Sequence, residues 1–448
     1  MNEHVSPRRR REVIDALRRG TVPANGLDLF AVGVECFTPA LDADLDAVDG
    51  GGAAFKAVRG EYGAGKTFVS RYLAERALRR GFAAAEVQVS EAETPLHKLE
   101  TVYRRIGEAL RTAAFPPSAL RPVLDSWFFT LESDVTATDP GLAGRGQDAL
   151  NSAVDRLLEQ RLATVSARTP AFAQAVRAYR AAVMEQNGPL ADALAAWLGG
   201  QPHVAAAAKR SAGIRGQLDH FGAMAFLQGL LEVLRDAGHP GLLLVLDEVE
   251  TLQRVRGDVR DKALNALRQL LDELDSGRYP GLFLVITGTP AFYEGPSGVP
   301  RLPPLAQRLA TDFSTDPRFD NPRAVQLRLP GFDRDKLLAL GVKVRDLFAA
   351  GAAEPERVLK IVDDGYVGEL ADAVTGSLGG KVGVAPRVFL KKLVADVLDR
   401  VDQFADFDPR RHYKLTLAAG ELSDVERNAA ALSVPAAARA DDIDLDVP

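Results

Sequence analysis

The run Gly60, Glu61, Tyr62, Gly63, Ala64, Gly65, Lys66, Thr67 fits the pattern G-x-x-x-x-G-K-[ST], with Phe68 next in the chain. Its fixed positions answer the needs of a polyphosphate. Gly60, Gly63 and Gly65 let backbone N–H groups turn inward around phosphate oxygens. Lys66 would set a positive charge against the β- and γ-phosphates, and Thr67 offers a hydroxyl to Mg²⁺. The run lies between a strand pattern and the amphipathic stretch "TFVSRYLAERALRRG", so a phosphate there would also meet a helix N-terminus. Residues 60–68 are therefore read as an ATP-binding segment.

The second constellation is "LLLVLDEVETL". Asp247 closes an apolar strand pattern, where it can hold Mg²⁺ directly or through water. Glu248 follows and can polarise an attacking water as general base. Two successive acids point to hydrolysis rather than to nucleotide binding alone.

These residues need a sheet to hold them. Short apolar runs at 55–58, 83–89, 242–246, 282–286 and 325–329 read as five strands, and helical patterns separate most of them. That alternation predicts an α/β fold with a parallel five-stranded sheet. The runs "LLLVL" and "LFLVI" are continuously apolar, as strands covered on both faces should be. About 150 residues separate the second strand pattern from the third, too many for a loop in a compact core. They read as helices, so 112–214 is taken as a large helical insertion. The organisation expected is an N-terminal helical segment (1–50), a P-loop core (51–330) carrying the insertion, a C-terminal helical region (331–407), and an extension with an acidic, flexible tail (408–448).

Composition narrows the class. Of 448 residues, 46% are hydrophobic and 26% charged, the balance of a soluble globular chain. No apolar run approaches the ~18 residues of a membrane helix. The N-terminus has no apolar signal core, which points to the cytoplasm. Cys36 is the only cysteine, which excludes an intrachain disulfide and a cysteine metal site. A net charge of −6 argues against a dedicated nucleic-acid binder and leaves DNA contact to local basic patches.

The order of elements resembles AAA+ ATPases of the Orc–STAND branch. The resemblance implies a polar sensor in "VITGTP", which would be Thr287, with Thr289 as second choice. It implies an arginine finger acting on a neighbouring subunit in "RLPPLAQRLATDF", which would be Arg308, with Arg301 as rival. It further implies that 331–407 forms a C-terminal helical lid carrying a second sensor, Arg387, in "APRVFLKKLV", and that the N-terminal segment 1–50 forms an adenine pocket around Val22 and Pro23. The combination "ALRRGTVP", "GEYGAGKTF", "LDEVETL", "PPLAQRL", "FDNPRAVQLRLPGF" and "APRVFLKKLV" is similar to the ATP-binding proteins of BREX phage-defence systems, the protein D group above all. This second resemblance spans roughly residues 9–402 and implies other phage-defence proteins as partners, among them methyltransferase, phosphatase-like and helicase components.

Two segments could form partner surfaces. "SPRRRREVIDALRRG" puts Ser6 and Pro7 at the cap and first turn of a helix. It then stacks Arg8, Arg9, Arg10 and Arg11 at the positive end of the helix dipole, which fits either DNA contact or a solvated charge run. Residues 205–217, "AAAAKRSAGIRGQ", are small and basic and could order on a partner. The expectation is an ATP-hydrolysing, homo-oligomeric switch on DNA or partner proteins. The alternatives are a nucleotide-dependent adaptor with little hydrolysis and a DNA translocase or helicase subunit.

Overall fold

The computed structural model describes residues 5–214, 218–377 and 386–417, with Leu422 and Arg427. The expected tail lies outside the described residues, as do 215–217 of the small basic segment.

Five parallel strands form one sheet: β1 (Ala54–Arg59), β2 (Ala83–Gln88), β3 (Leu242–Asp247), β4 (Leu282–Gly288) and β5 (Gln326–Arg328), in the order β2-β3-β4-β1-β5. All five expected strands are present. β4 runs two residues further than expected, and β5 is limited to three, with Val325 and Leu329 outside it. Successive side chains of a strand point to opposite faces, so the apolar runs of β3 and β4 feed two cores. Leu242, Leu244, Leu246, Leu282, Leu284 and Ile286 enter one. Leu243, Val245, Phe283 and Val285 enter the other. Burial on both faces is the reason these strands read as unbroken apolar runs.

The second core takes in helix Lys66–Arg79, helix Thr38–Asp49 and the C-terminal helices. Of those C-terminal helices, Arg334–Ala349 and Pro386–Lys391 pack with the N-terminal helix Pro7–Arg18, and Asp364–Ser377 packs on both of them. Arg18 clamps this contact by a two-pronged ion pair to Asp399, at 2.6 and 2.8 Å.

The first core continues from the sheet through Leu99–Ala109 and His220–Asp236 into the helices of 112–214. Phe226 is its hub. Its ring lies 5.8 Å from that of Tyr103, 5.2 Å from Phe172 and 5.0 Å from Trp197, all edge-on. Tyr103 precedes the inserted stretch, Phe172 and Trp197 belong to it, and Phe226 follows it.

The N-terminal helix begins as its sequence predicts: Ser6 Oγ accepts from Arg9 N at 3.3 Å, and Pro7 is the first helical residue. Its arginines do not all face solvent. Arg8 pairs with Glu12 at 2.9 Å. Arg9 binds Asp28, and Glu75 at 2.8 Å. Arg10 donates to the Ala350 carbonyl at 2.7 Å. Arg8 thus pairs within its own helix, whereas Arg9 and Arg10 tie that helix to the rest of the chain, because carboxylates and a carbonyl of the folded protein lie within their reach.

Candidate functional site

The cleft lies at the C-terminal ends of β1 and β3, where crevices of open parallel sheets form. β1 ends at Arg59 and the P-loop follows at once. Gly63 (φ 82°) and Gly65 (φ 95°) take the left-handed backbone that glycine adopts without strain. The turn they make delivers the chain to helix Lys66–Arg79, whose first residue is Lys66.

One cleft of about 310 Å³ gathers Tyr62, Gly63, Ala64, Gly65, Lys66, Thr67 and Phe68 with Asp247, Glu248 and Glu250. Val22 and Pro23 enter it from the N-terminal segment and Arg387 from the C-terminal helices, so these three widely separated residues are brought to the P-loop. Phe30, Phe332 and Lys336 line it as well. The lining combines the charged and polar groups of the loop and the acids with apolar side chains such as Val22, Pro23, Phe30 and Phe332, a mixture that fits a nucleotide. Gly60 and Glu61 contribute carbonyls, which accept from Lys66 Nζ at 3.0 and 3.4 Å.

A compact hydrogen-bond set joins the acids to the loop. Thr67 Oγ1 donates to Asp247 Oδ2 at 3.2 Å. Thr287 donates to the other oxygen, Oδ1. Thr287 Oγ1 in turn accepts from the Glu248 N–H at 3.1 Å. Thr67 and Asp247 are the residues that would hold Mg²⁺, and they already meet.

Thr287 is fully buried on β4, and its hydroxyl is committed to Asp247 and the Glu248 backbone. It sits one step behind the cleft and orients the acid pair. Thr289 caps the helix Pro290–Glu294 by position only, with no side-chain hydrogen bond to it.

Glu248 has φ 60° and ψ 44°, a left-handed conformation costly for a residue with a Cβ. The turn places its carboxylate where Gln88 Nε2 donates to Oε2 at 2.8 Å. Gln88 was invisible as a site residue in the sequence. Its signal is the parallel register, in which it pairs with Asp247.

Glu250 was missed too. It is 4% exposed and lies 3.5 Å from Lys66 Nζ, yet neither carboxylate oxygen has a hydrogen-bond partner among the described residues. Burial pushes its carboxyl above the usual range, with Lys66 pulling the other way.

Arg308 and Arg301 lie outside the cleft lining. Arg308 pairs with Asp272 at 2.5 Å and with Asp275, and Arg301 with Asp261 at 2.9 Å. Both rest on helix Gly257–Asp275 of their own chain.

A parallel sheet, a glycine-turned phosphate loop and an aspartate meeting the loop threonine define a P-loop nucleotide-binding protein. The chain belongs to the family of BREX system ATP-binding proteins BrxC/D, whose family model matches residues 5–417. Other proteins of the BREX system are therefore its partners in function, and ATP its ligand. No curated protein matches the chain. No solved structure matches it. Among the described residues, no helix is long and apolar enough to cross a membrane.

Proposed function

We propose that the chain is an AAA+-like ATPase that hydrolyses ATP in the cleft of residues 60–68 and uses the cycle as an oligomeric switch on DNA or on its BREX partners. The observation that carries this reading is the placement of Glu248. A strained backbone, a Thr287 hydroxyl on its N–H and a Gln88 amide on its carboxylate hold Glu248 next to Asp247, which meets Thr67.

The residues divide the work. Inward N–H groups of the loop and the helix N-terminus would bind the phosphates. Lys66 would place its charge on the β- and γ-phosphates. Mg²⁺, held by Thr67 and Asp247, would offset charge developing on the phosphoryl oxygens. Glu248 would orient the attacking water and accept its proton at the carboxylate. Arg387 would approach the nucleotide from the lid side. Arg308 would serve a neighbouring subunit after leaving Asp272 and Asp275, with Arg301 as rival. The strand order supports the AAA+-like assignment.

Steady-state ATPase assays with Glu248→Gln as control test the reading. ATP binding with turnover no higher than that of the control would return the protein to a nucleotide-dependent adaptor. DNA-stimulated turnover with strand displacement would make it a translocase or helicase subunit.

A further inference from the structure

Two buried glutamates stand in contrast. Glu75, 7% exposed, accepts from the N–H groups of Gly26 and Leu27, each at 2.9 Å, and from Arg9 and Arg79 at 2.8 and 2.6 Å. It is satisfied as a structural carboxylate should be. Glu250 is more buried and has no hydrogen bond to either oxygen among the described residues. The Tyr293 hydroxyl nearby is also buried without a partner, and Glu250 adds to the upward push that burial gives its pKa. What Glu250 does have is the Lys66 ammonium at 3.5 Å.

We propose that Glu250 is a counter-ion latch on Lys66, so that polyphosphate binding must break the Lys66–Glu250 pair and Glu250 thereby weakens the affinity of the site. This rests on the reading of the cleft as the ATP site.

The argument is electrostatic. Lys66 has three donors, and in this arrangement they face the Gly60 and Glu61 carbonyls and Glu250. Drawing the ammonium toward a phosphate separates it from a carboxylate whose ion-pair partner among the described residues is Lys66 alone. Leaving one member of a buried pair without its partner is unfavourable. The same carboxylate repels the incoming phosphates across the cleft it lines. A latch of this kind also speeds departure, since the pair re-forms as product phosphate leaves.

Glu250→Gln keeps the shape and removes the charge. Titration calorimetry with ATP, ADP and adenosine, in EDTA and in Mg²⁺, reads the outcome. ATP and ADP are expected to bind on the order of tenfold more tightly in EDTA, the scale of one partly compensated charge pair. Adenosine, which has no phosphate for Lys66, should bind as to the wild type. Unchanged or weaker ATP affinity in EDTA overturns the latch. A loss confined to Mg²⁺ also overturns it and makes Glu250 a metal ligand. If Glu250→Gln does not fold, Glu250→Asp, which withdraws the carboxylate from Lys66 by one methylene, should give a smaller tightening, and none overturns the proposal. Wild-type protein that binds no ATP would refute the site itself, which is a separate result.

Discussion

Gln88 and Glu248 are joined across the ends of β2 and β3 by a hydrogen bond of 2.8 Å from Nε2 to Oε2. An amide so placed fixes one rotamer of the carboxylate, and the left-handed turn at Glu248 fixes its root. Glu248→Gln should retain ATP affinity and lower kcat by about 10²–10⁴, the usual range for a lost general base. Gln88→Ala should lower kcat less, at unchanged ATP affinity. Single-turnover hydrolysis checks both. Wild-type turnover in Glu248→Gln would remove it from the chemistry.

Lys66→Ala should abolish measurable ATP binding. It should also lower Tm, because buried Glu250 loses the ammonium beside it. Adding Glu250→Gln should recover part of the Tm and none of the binding. Calorimetry and thermal unfolding on the two variants separate these effects.

Acid should loosen the N-terminal segment. Burial alone would raise the pKa of Glu75, but the N–H groups of Gly26 and Leu27 and the Arg79 guanidinium outweigh it and hold the carboxyl below its ordinary value of 4.5. A lowered folded-state pKa means stability that is present above 4.5 and lost as pH falls through the folded value. Glu75→Gln should therefore cost stability at neutral pH and flatten the acid limb of the unfolding profile. An unchanged acid limb would mean other carboxylates set it.

Arg308→Ala should bind ATP normally and lose turnover if the guanidinium completes a neighbour's site, where such fingers contribute about 10³–10⁵ in rate. Mixing it with Lys66→Ala should restore part of the activity, since each variant supplies what the other lacks. Loss without rescue would assign Arg308 to its own chain, where Asp272 and Asp275 already hold it. Full turnover in Arg308→Ala would shift the role to Arg301.

Phe226→Ala should destabilise the protein by about 3–5 kcal/mol in urea unfolding, as large-to-small changes of buried aromatics do. Its ring holds Tyr103, Phe172 and Trp197 together. For the same reason, deleting 112–214 should bare Tyr103 and Phe226 and give insoluble protein. A soluble, ATP-binding deletion variant would show that these helices fold apart from the sheet.

The sequence alone determined the sheet and the loop. Strands buried on both faces must be apolar throughout, so β3 and β4 could be read directly. Phosphate binding demands glycine, lysine and threonine at fixed spacing, so residues 60–67 could be read too, and Asp247 and Glu248 follow from the end of a strand. Tertiary structure decided what lies far apart in the chain. It set Val22, Pro23 and Arg387 against the loop, and turned Thr287 from the cleft toward Asp247. It drew Arg9 and Arg10 inward, because a guanidinium takes whichever acceptor the fold brings near. Glu250 shows the limit most clearly. In sequence it is one more acid in "DEVE"; only burial beside Lys66, without a hydrogen bond, gives its charge a consequence. Spacing encodes local geometry, whereas the solvation and partners of a charge are properties of the packed molecule.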